Sequence, residues 1–434
     1  MAEALLIDVA ASGSPSQASA KQVAGVVAGN ALEFYDFLTF TFFATDIGQA
    51  FFPSSNPTTS LLAALATFGA GFLTRPLGAF VLGRLGDRVG RKPSMLISFG
   101  LMGLAIAGLA LTPSYAQIGI AAPIIVIALR LLQGFALGGE VGPSTAYLAE
   151  AAASGQRGVM ISLQYVGQGM ATLGAGLIGV ILAATLSPTT LHAMGWRIAL
   201  GVGVLIVPFG LALRRGLAET LHTADPTDPP TQSAVNATVR ILVLALLLLA
   251  SGTTITYVLN YMTTFATHSL HMASSLAFGA TVVRGIFAMV GAVLGGWLAD
   301  RIGRRLTMLV PGFALLFLTV PGFALLAHDR TAAVLYGVTA VLSILGGTSS
   351  TAVLVAITES LPKPTRSTSL AVVYAISISI FGGTAQFNVA WLTDATHSLL
   401  APAWYMAIGV AAGLAGMIWI GETQSVKAAS GPIG

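Results

Sequence analysis

The feature that most constrains this chain is a succession of long, nearly uncharged apolar segments along its 434 residues. Apolar residues make up 55% of the sequence and charged residues 8%, so the chain cannot present the charged surface of a soluble protein. A helix spans a bilayer with roughly 20 apolar residues. Twelve segments of about that length or longer cover residues 22–48, 58–83, 93–112, 119–147, 158–186, 196–214, 241–267, 273–299, 306–327, 331–358, 367–394 and 401–420. The sequence therefore predicts an all-α membrane protein with twelve transmembrane helices.

One ten-residue motif occurs twice, at the ends of the second and eighth apolar segments. The stretch GRLGDRVGRK at residues 83–92 returns 213 residues later as GWLADRIGRR at residues 296–305. Both copies combine glycine, which allows helices to pack closely, with one aspartate and a basic cluster. Internal repeats of this kind are typical of secondary transporters. The repeat therefore predicts two related six-helix halves.

The polar stretches set the predicted domain organisation. The first residues lack the basic start and cleavage pattern of a signal peptide. The long polar stretch inside the chain is rich in proline and is typical of a linker between halves. The predicted domains are a disordered cytoplasmic tail at 1–20, an N-terminal six-helix bundle at 21–214, a cytoplasmic linker at 215–239, a C-terminal six-helix bundle at 240–421 and a cytoplasmic tail at 422–434.

The distribution of lysine and arginine predicts the orientation in the membrane. If both termini are cytoplasmic, fifteen of the twenty basic residues fall on the cytoplasmic side. Arg197 and Arg330 are then outside, and three arginines lie within helices. The positive-inside rule favours this arrangement. We therefore expect a multi-pass protein of a bacterial inner membrane with both termini in the cytoplasm.

Six charged residues fall inside predicted helices, where each would cost about 2.5 to 3.5 kcal/mol if it faced lipid at the helix centre. They are Glu33, Asp36, Arg75, Arg130, Glu140 and Arg284. Glu33 and Asp36 are three residues apart, so they share a helix face and hinder each other's ionisation. This pair is the predicted proton-coupling site. The alternative is that one acid pairs permanently with an arginine and locks two helices together.

Arg75 and Arg284 are the main candidates for substrate binding. A guanidinium recognises a carboxylate through two parallel hydrogen bonds and stays charged throughout a transport cycle. Several arginines in one cavity therefore indicate a small organic anion, although Arg75, which precedes Pro76, also suits a structural anchor. On the predicted fourth helix Arg130 and Glu140 share a face, and Glu140 suits a structural partner for basic residues equally well. Further candidate binding residues are Gln164, Gln168, Tyr257, Asn260, Tyr261, Gln386 and Asn388, each of which could instead join helices by hydrogen bonds.

The two loop motifs are predicted to act in gating. Their aspartates can cap helix ends or pair with basic residues across the two halves, and these contacts can break when one side opens. Simple anchoring by the positive-inside rule would explain the arginines but not the matched aspartates. A second matched pair of acid and arginine flanks the loops after the fourth and tenth segments. The predicted gating set is Asp87, Arg88, Arg91, Glu150, Arg157, Asp300, Arg301, Arg304, Glu359 and Arg366.

Several passages resemble a known family. They are GNALEFYDF at 29–37, FLTRPLGA at 72–79, RLLQGFALGGE at 130–140, IFGG at 380–383 and the two loop motifs. Together they resemble the metabolite:proton symporter family of the major facilitator superfamily, and within it the citrate and oxoglutarate permeases.

That resemblance implies alternating access coupled to protons. It places a coupling carboxylate at Asp36 and associates Arg130 with proton transfer. The sequence departs from the family at Ala199, where proline is usual.

The prediction is a proton-coupled symporter that imports a small organic anion, a di- or tricarboxylate, and that works as a monomer. No enzyme activity, cofactor, metal site or nucleic-acid partner is expected, and the sequence contains no phosphate-binding Gly-x-x-x-x-Gly-Lys motif. Within the same fold, the alternatives are symport of betaine, proline or shikimate and efflux by antiport. From a different class, the alternative is a membrane receptor that transports nothing.

Overall fold

The computed structural model describes residues 20–88, 91–138, 141–153, 155–215, 232–361 and 366–419. In these ranges the regular secondary structure is entirely helical. Residues 216–231 of the predicted linker and most of both predicted tails lie outside the described residues.

The first half contains six helices, and three of them are interrupted. Asn56 caps the second helix, because its side chain accepts a hydrogen bond from the Thr58 amide at 2.9 Å and Pro57 occupies the first helical position. The helices are α1 (Ala20–Phe42 and Ala44–Phe51), α2 (Pro57–Leu73 and Arg75–Arg88), α3 (Arg91–Leu111), α4 (Ala121–Leu137 and Val141–Glu150), α5 (Arg157–Thr185) and α6 (Trp196–Arg215). Short helices, Tyr115–Ile118 and Pro188–Thr190, and the π-helical turn Leu191–Gly195 lie between them.

The second half repeats this plan. Its helices are α7 (Gln232–Asn260, continued by Met262–Thr264 and a π-helical turn at Phe265–Ser269), α8 (Ser274–Ile302), α9 (Arg304–His328), α10 (Ala332–Ser360), α11 (Arg366–Ser377 and Gly383–Thr396, joined by a π-helical turn at Ile378–Gly382) and α12 (Ala401–Trp419). Gly303, in the second loop motif, joins α8 to α9 with a φ of 95°, a conformation that favours glycine. The predicted arrangement of twelve helices is confirmed.

The lengths and compositions of the helices suit a bilayer. Eight described helices (α2, α5 and α7 to α12) are long and apolar enough to cross a membrane. In α3 and α4 the apolar parts are shorter, Leu96–Leu111 and Ala121–Leu137. The helix α7 begins at Gln232, earlier than the predicted segment 241–267.

The two halves meet most extensively where α5 packs antiparallel to α8. We call the end of the bundle where α5 begins and α8 ends the motif end, and the opposite end the distal end. Glycines allow the close contact: a Cβ added to Gly158 at the motif end would lie 2.3 Å from the carbonyl oxygen of Gly296. Nearer the distal end a Cβ on Gly179 would lie 2.2 Å from the Phe278 ring. The two helices are therefore in contact from one end to the other.

A second contact between the halves joins α2 to α11. A Cβ on Gly69 would lie 2.4 Å from the Gly383 carbonyl oxygen. Nearby, the Ser379 hydroxyl in the π-helical turn donates to the Phe72 carbonyl oxygen at 2.8 Å. These interfaces surround the space between the halves.

Candidate functional site

A small cavity lies between the halves, midway along α5 and α8. Its volume is about 60 Å³. Since one water needs about 10 to 15 Å³, it holds only a few waters, and a metabolite-sized ligand would require the lining side chains to move. The polar side chains that line it are Tyr165, Gln168, Thr172, Thr253, Thr256, Tyr257, Asn260, Arg284, Ser343, Ser350 and Tyr374.

Arg284 on α8 carries the charge of this cavity. Its side chain is 7% exposed, its Nε donates to Asn260 Oδ1 at 2.6 Å, and its Nη2 donates to the Thr256 carbonyl oxygen at 3.0 Å. Both acceptors are on α7. Among the described residues, none of the ion pairs involves Arg284. The site thus holds a fixed guanidinium whose charge is not neutralised by those carboxylates.

Polar groups from both halves meet at the cavity. The Gln168 amide on α5 lies 3.5 Å from the Tyr374 hydroxyl on α11, which is a weak hydrogen bond across the two halves. Tyr165 lies one turn before Gln168 and also lines the cavity. A ligand bound here would therefore touch both halves.

Arg75 and Arg130 lie behind an aromatic layer and do not line this cavity. The Cζ atom of Arg75 is 4.5 Å from the centre of the Phe72 ring, and that of Arg130 is 4.2 Å from the centre of the Phe40 ring. Such distances are typical of cation–π contacts. Arg130 also donates a hydrogen bond to Gln133. Both arginines are almost completely buried.

Tyr257 connects the aromatic layer to the cavity. Its ring centre is 5.6 Å from that of Phe72, and its hydroxyl lies within electrostatic range of Arg75, Arg130 and Arg284. The three arginines predicted to serve one site thus converge on Tyr257, although only Arg284 lines the cavity.

Several predicted binding residues occupy structural positions instead. Gln164 exchanges hydrogen bonds with Asn30 on α1, with distances of 2.7 and 3.2 Å. Gln386 donates to the Tyr257 carbonyl oxygen at 3.3 Å, and Asn388 donates to the Tyr405 hydroxyl at 3.4 Å. Tyr261 lines a different cavity at the distal end. Binding roles for Gln164, Tyr261, Gln386 and Asn388 stay predictions.

Other predicted residues fall outside the described part of the chain. Glu140 lies in a gap of the description, and the placement of the side chains of Glu33, Asp36, Asp87, Arg88, Arg91 and Arg366 is likewise not described. The proposed proton-coupling pair and the first loop motif therefore stay predictions.

The second loop motif joins the halves at the motif end. The Asp300 carboxylate on α8 accepts hydrogen bonds from the backbone amides of Gly158 and Val159 at 2.9 and 3.0 Å. These amides belong to the first turn of α5, where backbone N–H groups have no partner within the helix and the helix dipole favours an anion. Asp300 therefore caps a helix of the opposite half.

Arg304 and Glu359 support this cap. Arg304 donates from Nε and Nη2 to the two carboxylate oxygens of Glu359 at 3.0 and 2.9 Å, and its Nη2 is 3.4 Å from Asp300 Oδ1. This bidentate pairing fixes the guanidinium beside the cap. Arg301 instead stacks on Trp297, with Cζ 4.4 Å from the ring centre.

Two further members of the predicted gating set lie beside this cap. Glu150 is exposed and Arg157 is half-buried.

Sequence reasoning missed Tyr165, Tyr374, Ser343 and Ser350 as cavity residues. Tyr165 shares a helical face with Gln168, so its spacing could have indicated its position. Serines and tyrosines in apolar helices carry no charge penalty, and nothing in the sequence distinguishes those that line a cavity.

Two symmetric bundles that close around a central cavity, with a charged cap at one end, define the fold of a secondary membrane transporter. Residues 26–385 match the family model of the Major Facilitator Superfamily, and the chain belongs to this superfamily. The chain is 34% identical to a citrate-proton symporter of Klebsiella pneumoniae, over 92% of this chain and 91% of that protein.

Two further relatives carry other names. Identity is 33% to an alpha-ketoglutarate permease of Escherichia coli, over 84% of this chain and 85% of the relative. It is 31% to a glycine betaine/proline/ectoine/pipecolic acid transporter of Dickeya dadantii, over 93% and 84%.

A solved structure shares the fold. The xylose transporter of E. coli, in a partially occluded inward open conformation, aligns with a TM-score of 0.76 at 15% identity, over 93% of this chain and 98% of that one. The membrane-capable helices and the bacterial relatives in this superfamily indicate a multi-pass protein of the inner membrane.

Proposed function

We propose that this protein is a proton-coupled symporter that imports a small organic anion, a di- or tricarboxylate such as citrate or oxoglutarate. The observation that carries the proposal is the position of Arg284, whose guanidinium is buried at a cavity between the halves and held by Asn260 and Thr256. A buried charge needs a partner, and a guanidinium matches a carboxylate through two hydrogen bonds. A substrate carboxylate would supply that partner.

The names of two relatives support a carboxylate substrate. One is a citrate-proton symporter and another an alpha-ketoglutarate permease, and both align with most of this chain. Importing an anion against an inside-negative potential costs about 2.3 kcal/mol per charge per 100 mV, so entry of protons must offset the charge. Asp36 and Glu33 are our proposed carriers of these protons, and Arg130 and Glu140 complete the proposed coupling set.

A zwitterion is the second candidate substrate, because the cavity is also aromatic. Tyr165, Tyr257 and Tyr374 line it, and tyrosine faces attract quaternary ammonium groups. A betaine could place its carboxylate on Arg284 and its ammonium against these rings. The betaine transporter among the relatives supports this alternative.

The motif end is our proposed cytoplasmic gate. The positive-inside rule places the basic loop motifs, and with them both termini, in the cytoplasm. Asp300 would then hold the cytoplasmic side closed by capping α5, and release of the cap would accompany opening to the cell interior. Asp87 would act in the same way from the first half.

Uptake into proteoliposomes under an inward proton gradient tests the proposal. Labelled citrate and oxoglutarate should accumulate and compete with each other, and dissipation of the gradient should abolish accumulation. Competition by betaine with no competition by carboxylates would refute the anion assignment and support the alternative.

A substitution tests the proposed role of Arg284. Removal of a charge-assisted bond costs about 1.5 to 3 kcal/mol, so Arg284→Gln should raise the KM for a carboxylate about 10- to 150-fold. The matched control is Arg84→Gln, which removes an exposed arginine that stacks on Phe80. An unchanged KM in the Arg284 variant would contradict the proposed contact.

A further inference from the structure

A second, larger cavity opens between the halves at the distal end. Its volume is about 850 Å³, and we call it the distal vestibule. Tyr261 and Phe278 form part of its wall. Four of the six histidines of the chain line it together with two aspartates, namely Asp46, His192, His268, His271, Asp394 and His397. Histidine is thus concentrated in one cavity of a chain that otherwise contains little of it.

The six titratable side chains come from both halves. His192 Nδ1 lies 2.7 Å from Asp46 Oδ1, and this ion pair joins the α5–α6 connection to α1. His268 Nε2 on α7 lies 3.3 Å from the Thr58 hydroxyl on α2. His268 is also within electrostatic range of His271 and Asp394.

One further charged group faces this region. Arg330, in the α9–α10 connection, donates to the Leu270 carbonyl oxygen at 3.4 Å, next to His271. It adds a positive charge that does not change between pH 5 and 8.

The backbone singles out two of the histidines. His271 and His397 have φ values of 56° and 50°, and they are the non-glycine residues with positive φ in the described part of the chain. A left-handed conformation is strained for most side chains, and such strain concentrates at functional sites. Both residues follow helices that line the space between the halves, and both line the vestibule.

We propose that the distal vestibule is a proton-responsive site that collects the substrate anion before it enters the central cavity. With every imidazole neutral and both carboxylates ionised, the six side chains sum to two negative charges, and with every imidazole protonated they sum to two positive charges. Histidine is the side chain whose charge ordinarily changes between pH 5 and 8. Acidification of the distal side therefore turns the vestibule from repelling an anion to attracting it.

This inference rests on the proposed uptake of an organic anion from the distal side. It makes entry of the substrate favourable under the same acidic conditions that drive proton entry. The vestibule is wide and faces water, so its effect should be electrostatic and sensitive to salt. A buried coupling carboxylate would respond to pH but only weakly to salt.

The experiment measures KM and kcat for citrate uptake into proteoliposomes at external pH 5.5 and 7.5, each at low and at physiological ionic strength. The test protein carries His271→Asn and His397→Asn, because asparagine tolerates positive φ and does not titrate. A second protein carries His271→Lys and His397→Lys, which keeps both positive charges at the two pH values. The control is His328→Asn, at the end of α9 and outside the vestibule lining.

The asparagine pair should raise KM about fivefold at pH 5.5 and low salt, with KM at pH 7.5 and kcat unchanged. The lysine pair should lower KM at pH 7.5 toward the value of the unmodified protein at pH 5.5. The control should match the unmodified protein.

Equal KM changes at both pH values, loss of uptake at both, or no change at either would overturn the inference. Absence of carboxylate uptake by the unmodified protein would instead overturn the proposed function, so the two failures are distinguishable.

Discussion

Substitution of Asp300 by asparagine should shift the protein toward a state that is open at its motif end. In the present state the carboxylate of Asp300 accepts hydrogen bonds from the amides of Gly158 and Val159 at 2.9 and 3.0 Å. Hydrogen bonds to a charged group contribute about 1.5 to 3 kcal/mol each, and neutral ones about 0.5 to 1.5 kcal/mol. Asparagine keeps one acceptor oxygen and places its NH₂ group toward the second amide.

The net loss is therefore about 2 kcal/mol, which combines one lost charged bond, one weakened bond and the lost interaction with the dipole of α5. Since 1.36 kcal/mol is a factor of ten, the ratio of open to closed protein should rise about 30-fold. The ion pair between Arg304 and Glu359 lies within one half and should persist in the variant.

Cysteine labelling can measure this shift, because the chain contains no cysteine. A single cysteine at Ala149, which is 5% exposed in the motif-end part of α4, becomes reactive only when the interface with α11 opens. The labelling rate should then follow the open fraction and increase about 30-fold in the Asp300→Asn protein.

Asp329→Asn is the matched control, since Asp329 lies at the distal end after α9. An unchanged labelling rate in the Asp300 variant would refute the role of the cap. An equal increase in the Asp329 variant would show that the effect is not specific to the motif end.

Two further substitutions test the cavity and the vestibule. Asn260→Ala should leave the Arg284 Nε without its acceptor at 2.6 Å, so thermal unfolding in detergent should show a loss of about 1 to 3 kcal/mol, and a higher KM should accompany it. The hydrogen bond to Asp46 raises the pKa of His192, so this pair stabilises the fold fully below the ordinary pKa of histidine and loses that effect as pH rises through the raised pKa. His192→Asn should therefore lower the unfolding temperature at pH 5.5 but not at pH 9, and because the His192 side chain is 54% exposed the effect should stay below about 1 kcal/mol.

The fold was predictable because the membrane restricts the choices. Long apolar segments can cross a bilayer only as helices or closed barrels, and the length of the segments selects helices. The repeated motif then indicated two halves, and the structure places its second copy where α8 joins α9. The interruptions inside helices were less accessible to sequence reasoning. Nothing in the sequence around Ile378–Gly382 distinguishes a π-helical turn from a regular one.

The candidate site was only partly predictable, because a charge in an apolar helix does not reveal which neighbour it faces. Arg75, Arg130 and Arg284 satisfy the same sequence criterion, yet the first two stack on phenylalanine rings and only Arg284 lines the cavity. Gln164 and Gln168 lie one turn apart on α5, and the turn decides the partner. At Gln164 the neighbour is α1, and at Gln168 it is the space between the halves. Only packing against the other helices resolves such cases.

The two ends of the molecule are held closed by interactions of different strength. At the motif end the halves share the charged cap of Asp300. At the distal end, contacts between halves include Phe43 with Phe278, whose ring centres are 4.8 Å apart, and a neutral hydrogen bond from the Thr264 hydroxyl to the Thr41 carbonyl oxygen at 3.3 Å. Neutral hydrogen bonds and ring contacts are weaker than bonds to a charge. Opening of the distal end should therefore cost less in the absence of substrate.

One continuous helix connects the candidate binding residue to the cap. Arg284 and Asp300 are sixteen residues apart on α8, which runs without interruption from Ser274 to Ile302. At 1.5 Å per residue they are separated by about 24 Å along the helix axis. A ligand that pulls Arg284 toward α5 would tilt this helix as a unit, and Asp300, at its far end, would move relative to the first turn of α5. Because the cap tolerates only a few tenths of an ångström before its bonds weaken, a small tilt at the cavity is sufficient to release the motif end.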